Sequence, residues 1–308
     1  MKRKLVHQLI PEPEPRGKKS QPNGGEIPPP APVKAYKNDV FLNSSAARPI
    51  RVLAELMEPE ERLKKEGVEN FLVFFGSART RGVEDIADTI AKLERKIKRQ
   101  PRVKKLRDEL KRLKRLQVGA RYYDDAVELA SELTEWSKSL NDPEHRFYIC
   151  SGGGPGIMEA ANRGASESDG RSIGLGISLP FEQSNNPYIS HSLNFEFHYF
   201  FVRKYWFLYL AKALVVFPGG FGTMDEVFEM LTLIQTQKTE KRIPIVLYGS
   251  DFWNELINWD MFLEWGMISP EDLELFTVID SVQEAKDYLI KEVTEHFIEK
   301  NDLGLKSP

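Results

Sequence analysis

Six short apolar runs punctuate the chain: residues 71–75, 147–150, 173–179, 213–217, 244–248 and 276–279. They are continuous rather than alternating. Strands covered on both faces, as in parallel sheets, carry this pattern, whereas a strand with one solvated face alternates apolar and polar residues. Helical spacing fills intervals between them, as in Pro155–Ser168 and Gly222–Gln235. The alternation predicts an α/β fold: a doubly wound, mostly parallel, Rossmann-like sheet with helices on both faces. Such sheets bind ligands outside the carboxyl ends of their strands. Three of the runs end directly in glycine-rich turns, FFGSAR (74–79), ICSGGGPG (149–156) and VFPGGFGT (216–223).

The flanks read differently. Eight of the nineteen prolines fall in the first 40 residues, with paired glycines at 24 and 25. Such a segment buries too little apolar surface to offset its ordering entropy. Residues 1–43 are therefore expected as a disordered tail, 44–300 as a single domain entered by an amphipathic helix over 44–66, and 301–308 as a second tail. A helical insertion is expected over 84–141, after the first strand. Its centre, Ile90–Leu116, holds thirteen Lys or Arg against three acids, a net of +10. Leu106, Leu110 and Leu113 recur at helical spacing and Pro101 interrupts the pattern, so two helices in a hairpin are predicted.

Composition narrows the classes. The 308 residues are 41% apolar and 29% charged with a net charge of −3, an ordinary balance that does not suit the whole molecule to nucleic acid. An anionic regulator at the basic insertion remains open. One cysteine, Cys150, excludes a disulfide framework and points to a reducing compartment. It ends an apolar run and reads as a small buried hydrophobe. No stretch reaches the ~18 apolar residues of a spanning helix, and MKRK at the start is followed by no apolar core. A cytoplasmic location without a membrane partner is expected. The five histidines are scattered, so no metal site is read, and no cofactor is expected.

The glycine turns carry the chemistry. Gly76 and Ser77 offer backbone N–H groups and a hydroxyl after the first strand. Gly152, Gly153 and Gly154 let backbone approach a ligand, and Pro155 suits the first turn of a helix whose N-terminus favours an anion. A Walker-type GxxxxGK[ST] is absent, and the glycines do not fall as a dinucleotide fingerprint requires. Gly219, Gly220 and Gly222 form a second bare loop with Thr223 as a hydroxyl donor, suited to a phosphate monoester. Asp225, Glu226 and Glu229 follow in the next helix. Val227, Met230, Leu231 and Ile234 form its apolar stripe, which predicts that the acids face outward toward the loop. Phe197–Ala213 holds eight aromatics around Arg203 and Lys204, charges that need an acid, a ligand or solvent.

These stretches resemble the LONELY GUY (LOG) family, cytokinin riboside 5′-monophosphate phosphoribohydrolases long labelled lysine decarboxylases. PGGFGTMDE (218–226) matches the family's PGGxGTxxE motif. SGGGPGIMEAAN (151–162) resembles its other glycine motif, and Arg203-Lys204 stands where the family has an RK pair, 23 residues before Glu226. The resemblance covers roughly 70–250 and is to the larger bacterial members, since plant-type members lack the tail and the insertion. It implies a Rossmann-like homodimer or higher oligomer that hydrolyses the N-glycosidic bond of AMP or a cytokinin riboside monophosphate. It assigns catalysis to Arg203 and Glu226 and substrate contact to Gly220–Glu226, including Phe221, with Thr232 further on. Met158, Lys204 and Glu229 complete the expected substrate contacts, and Glu182 is aligned with a family glutamate at slightly altered spacing. No lysine sits in a setting suited to pyridoxal chemistry. The alternative on this fold is a non-catalytic nucleotide or molybdenum-cofactor carrier.

Overall fold

The computed structural model describes residues 32–140, 146–179, 185–239 and 241–299. The proline-rich residues 1–31, the tail 301–308 and Glu182 lie outside the described residues. The chain divides into two units, residues 1–50 and 51–308. In the first, a single 3₁₀ turn (Ala35–Lys37) precedes the short helix α1 (Asp39–Leu42), capped by the Asn38 side chain accepting from the Phe41 N–H at 3.1 Å. Helix α2 runs Arg48–Glu66, close to the amphipathic segment expected there.

Among the described residues the second unit has seven strands: β1 (Phe71–Phe75), β2 (Tyr148–Ser151), β3 (Ser172–Ile177), β4 (Asn194–Phe197), β5 (Ala211–Val216), β6 (Ile245–Tyr248) and β7 (Thr277–Ile279). They form one sheet in the order β4-β3-β2-β1-β5-β6-β7, and every pairing is parallel. All six predicted runs are strands. The seventh, β4, reads Asn-Phe-Glu-Phe and alternates between exposed and buried, as an edge strand does, so it lacks the continuous apolar signature of the others. The order reverses between β1 and β5: the chain steps outward one way from β1 to β4 and the other way from β5 to β7. That switch point opens a crevice at the carboxyl ends of β1 and β5, where a doubly wound sheet takes its ligand.

Helices surround the sheet: α3 (Val83–Arg99), α4 (Lys104–Gln117), α5 (Arg121–Ser139), α6 (Ile157–Glu167), α7 (Phe200–Tyr209), α8 (Phe221–Gln235), α9 (Ser250–Leu256), α10 (Trp259–Glu264) and α11 (Val282–Val293). Helix α5 contributes Tyr122, Tyr123, Ala126, Leu129, Ala130 and Leu133 to the main core, beside α6. Close approach there is allowed by Gly164, where a Cβ would stand 2.1 Å from the Val127 carbonyl oxygen. Helices α3 and α4 pair as the predicted hairpin around a separate small cluster of Ile86, Ile90, Leu113 and Ala120. Cys150 is fully buried in the main core, and burial pushes its thiol pKa up, as suits a small hydrophobe. No helix among the described residues is long and apolar enough to cross a membrane.

Candidate active site

Three loops meet at the switch point. The Ser77 N–H donates to the Pro218 carbonyl at 3.1 Å, and the Ser77 carbonyl accepts from the Ile157 N–H at 3.1 Å. One residue after β1 therefore stitches the β5–α8 loop to the start of α6. Gly76 leaves the space that the Ile157 side chain fills, since a Cβ there would approach it to 2.7 Å. Ser77 is thus a structural junction through its backbone, while its hydroxyl accepts from the Arg79 N–H at 3.1 Å.

The β2 loop is held from beneath by a buried amide network that the sequence did not announce. Asn162 on α6 accepts from the Ser151 hydroxyl (2.7 Å) and the Asn186 amide (2.9 Å), and donates to the Ile173 carbonyl (3.1 Å). Asn186 in turn donates to the carbonyls of Gly153 and Gly154, and Ser151 accepts from the Gly153 N–H. These contacts fix the glycine backbone from below, with the Gly153 N–H itself spent on the Ser151 hydroxyl. The one available signal was a buried-looking asparagine at the end of the IMEAAN stretch. Asn162→Leu is expected to leave Ser151 and Asn186 without their shared acceptor. A loss of about 2–4 kcal/mol follows from unpaired buried polar groups, read as a lowered midpoint in urea unfolding.

Two further side chains expected at the site come from α7 and α8. Arg203 and Glu226 face each other at 3.6 Å, Nη2 to Oε1, both largely buried. Glu226 is 4% exposed, which corrects the expectation that it faces outward with the other acids. It lies four residues before Met230, in line with the buried stripe rather than opposite it. Glu226 Oε2 and Arg203 Nε have no hydrogen-bond partner among the described residues. Burial raises the Glu226 pKa to about 7, against the pull of Arg203 and Lys204. Burial lowers that of Arg203, offset by Glu226 and Asp225. The guanidinium also lies 5.1 Å from the Phe200 ring centroid and 5.6 Å from that of Phe207, so the aromatics of α7 supply its walls.

Helix α7 is set by α2. The Glu55 carboxylate accepts from the backbone N–H groups of His198 (2.8 Å) and Tyr199 (3.2 Å) at its N-terminus. The Glu55 carbonyl accepts from the Trp206 indole at 3.0 Å. An acid at a helix start meets both the unpaired N–H groups and the positive dipole end.

The other expected residues divide. A Cβ on Gly152 would stand 2.7 Å from Met158 Sδ and 3.9 Å from Arg203 Nη1, so Gly152 and Met158 adjoin the Arg203 side. Gly153 and Gly154 follow on the same loop. Gly220 and Gly222 face open space, with nothing within 4 Å of an added Cβ, whereas Gly219 is covered by the Thr223 side chain. Phe221 is 97% exposed. Lys204 bridges Asp225 (2.9 Å) and Glu229 (2.7 Å). Thr232 lies more than a turn beyond Glu226, exposed, its hydroxyl donating to the Phe228 carbonyl at 2.6 Å. Beside this crevice, across the β1 loop, a cavity of about 1250 Å³ is lined by Arg79, Arg81, Tyr123, Glu159, Arg163 and Tyr188 among others, and includes neither Arg203 nor Glu226. No group of His, Cys, Asp and Glu among the described residues is placed to hold a metal ion.

The sequence resemblance rested on the two glycine motifs and the spacing of Arg203 from Glu226, and comparison with known proteins finds the same family. Residues 158–289 match the family described as "Possible lysine decarboxylase". The cytokinin riboside 5′-monophosphate phosphoribohydrolase LOG of Oryza sativa subsp. japonica is 27% identical over 190 residues, 60% of this chain and 71% of that protein. Its counterpart LOG3 of Arabidopsis thaliana is 27% identical over 179 residues, 57% of this chain and 75% of that protein. The chain is thus similar in sequence to LOG-family proteins over rather more than half of its length. A pyrimidine/purine nucleotide 5′-monophosphate nucleosidase of Escherichia coli K12 is 29% identical over 113 residues, 33% of this chain and 24% of that protein. Among solved structures, the molybdenum cofactor carrier protein of Chlamydomonas reinhardtii is 16% identical, with a TM-score of 0.41 over 74% of this chain and 99% of that one.

Proposed function

We propose that the protein hydrolyses the N-glycosidic bond of a purine nucleoside 5′-monophosphate, AMP or a cytokinin riboside monophosphate, to free base and ribose 5-phosphate. The observation that carries this reading is the buried Arg203–Glu226 pair beside the open glycine loop. A carrier needs no carboxylate held near neutral pKa at its ligand. The bare N–H groups of Gly220–Thr223 at the start of α8 hold the 5′-phosphate, which fixes the ribose relative to Glu226. Cleavage passes through an oxocarbenium-like ribosyl cation. The carboxylate of Glu226 stabilises that cation and takes a proton from the attacking water, whose oxygen bonds to C1′ as the C1′–N bond breaks. The electron pair of that bond leaves with the base. Arg203, a poor proton donor, binds the nucleotide and stabilises the negative charge that develops on phosphate or base.

The test is a product assay with AMP and, separately, isopentenyladenosine monophosphate. Release of base and ribose 5-phosphate by the parent supports the reading, and the ratio of rates sets the preferred base. Tight binding of both with no product would favour the carrier.

Two partner readings accompany this one. Homodimerisation is supported by the exposed Phe200, Phe201, Tyr205 and Tyr209 on α7, apolar surface that a monomer leaves wet. An anionic regulator at the α3–α4 hairpin is supported by the exposed Lys104, Lys105 and Arg107. Neutralising these three is expected to weaken binding of a polyanion such as heparin at least tenfold in about 0.1 M salt, with nucleotide hydrolysis unchanged. Undiminished heparin affinity would discard that surface.

A further inference from the structure

Lys204 is the neighbour of Arg203 on α7, and Asp225 is the neighbour of Glu226 on α8. The two contacts between these helices therefore run side by side. One rung is Arg203–Glu226 at 3.6 Å, too long for a hydrogen bond. The other is Lys204, whose ammonium sits between Asp225 at 2.9 Å and Glu229 at 2.7 Å. Asp225 and Glu229 are four residues apart on one face of α8, so a single cation spans them. The Lys204 side chain is largely covered, while Asp225 is exposed and Glu229 partly so, which leaves the Glu229 contact the less screened of the two. The loose rung cannot set its own spacing, and the tight one stands directly beside it.

We propose that Lys204 is a positioning residue: by tying Asp225 and Glu229 to α7 it holds Glu226 opposite Arg203. The inference rests on the hydrolase reading above. It replaces the expectation that Lys204 contacts substrate. Its charge is already met by two carboxylates, and a phosphate dianion reaching it would have to displace one of them while lying against the other. The charged groups facing Glu226 are Arg203 and Lys204 from α7 and Asp225 and Glu229 from α8. Lys204 is one of the two cations that hold the Glu226 pKa down against burial. Its removal therefore moves the Glu226 titration upward as well as loosening the helices.

The experiment compares Lys204→Met, Lys204→Arg and Asp225→Asn with the parent in AMP hydrolysis across pH. Misplacement of a reacting group by about 1 Å costs on the order of 100-fold. Lys204→Met is thus expected to lower kcat by about 10–100-fold with KM changed little, and to shift the acidic limb of the rate profile to higher pH. Lys204→Arg, which keeps the charge and two-carboxylate reach, is expected to restore most of kcat, and Asp225→Asn to lower kcat in the same sense. A rise in KM with kcat intact in Lys204→Met would make Lys204 a substrate ligand and overturn the proposal. So would a pH profile that stays in place. If the parent turns over no nucleoside monophosphate, the hydrolase reading fails separately. An NMR titration of the Glu226 carboxyl then decides: an upward midpoint in Lys204→Met sustains the positioning contact, and an unmoved one overturns it.

Discussion

Glu226→Gln is expected to reduce nucleotide hydrolysis by about 10²–10⁴-fold while leaving nucleotide binding within a few-fold of the parent. Glutamine keeps the shape and fills the same pocket beside Arg203, so the glycine loops and α8 should hold the phosphate as before. What it lacks is negative charge for the ribosyl cation and a site for the water's proton. Base release would be followed by chromatography and affinity by calorimetry with AMP. Activity retained in this variant would remove Glu226 from the reaction, whatever the fate of the nucleotide reading.

The same substitution has a signed effect on stability. The Glu226 pKa rises from 4.5, its ordinary value, to about 7 because burial disfavours the charge. Below 4.5 both folded and unfolded chains carry the proton. Between 4.5 and about 7 the unfolded chain loses it and the folded one retains it, so the parent loses stability as pH rises through this window. Above about 7 the deficit is constant, on the order of 3 kcal/mol at most for that shift. Glu226→Gln should remove this slope and be more stable than the parent at pH 8, as measured by urea unfolding at pH 5 and pH 8. Stability traded for a carboxylate of near-neutral pKa is a mark of a working site rather than a packing one.

The fold was legible because parallel strands buried on both faces leave uninterrupted apolar runs. Phe71–Phe75 and Ala213–Phe217 needed no other clue. Asn194–Phe197 was hidden because its alternation is that of an edge strand, and it adjoins the aromatic run that becomes α7. The glycine loops were also legible, since they depend on residue type at fixed spacing, and the resemblance pointed to Arg203 and Glu226 together. Their surroundings were not. Glu55 at the start of α7 acts across more than 140 residues, and Asn186 reaches back to Gly153 and Gly154. Such supports follow from the folded path of the chain, which leaves no periodic trace. The outward orientation expected of Glu226 failed for a related reason. A helical wheel places residues around one axis, and only the packing of α7 against α8 decides which of its margins is covered.

Gly156→Ala is expected to be the most damaging single change in the stability of the site. Gly156 has φ 72° and ψ −134°, a combination that side-chain-bearing residues rarely adopt. A Cβ there would stand 2.2 Å from the Ser77 carbonyl oxygen and 2.7–2.8 Å from Ala78 backbone atoms. Backbone atoms cannot swing aside as a flexible side chain does, so relief requires parting the β1 and β2 loops. That would break the Ser77–Ile157 link through which α6 is seated. A loss of about 3–5 kcal/mol follows from strain plus the severed contacts, measurable as a fall in the urea midpoint. Gly220→Ala makes the contrasting case. Its backbone, at φ −99° and ψ −157°, is open to alanine, and its Cβ meets nothing within 4 Å. Stability should stay within about 0.5 kcal/mol of the parent, yet the added methyl occupies the space where a phosphate would lie against bare backbone, so KM for AMP should rise. If Gly156→Ala proved stable, the loop junction would not be the rigid support described. If Gly220→Ala left KM unchanged, the phosphate would bind elsewhere than the start of α8.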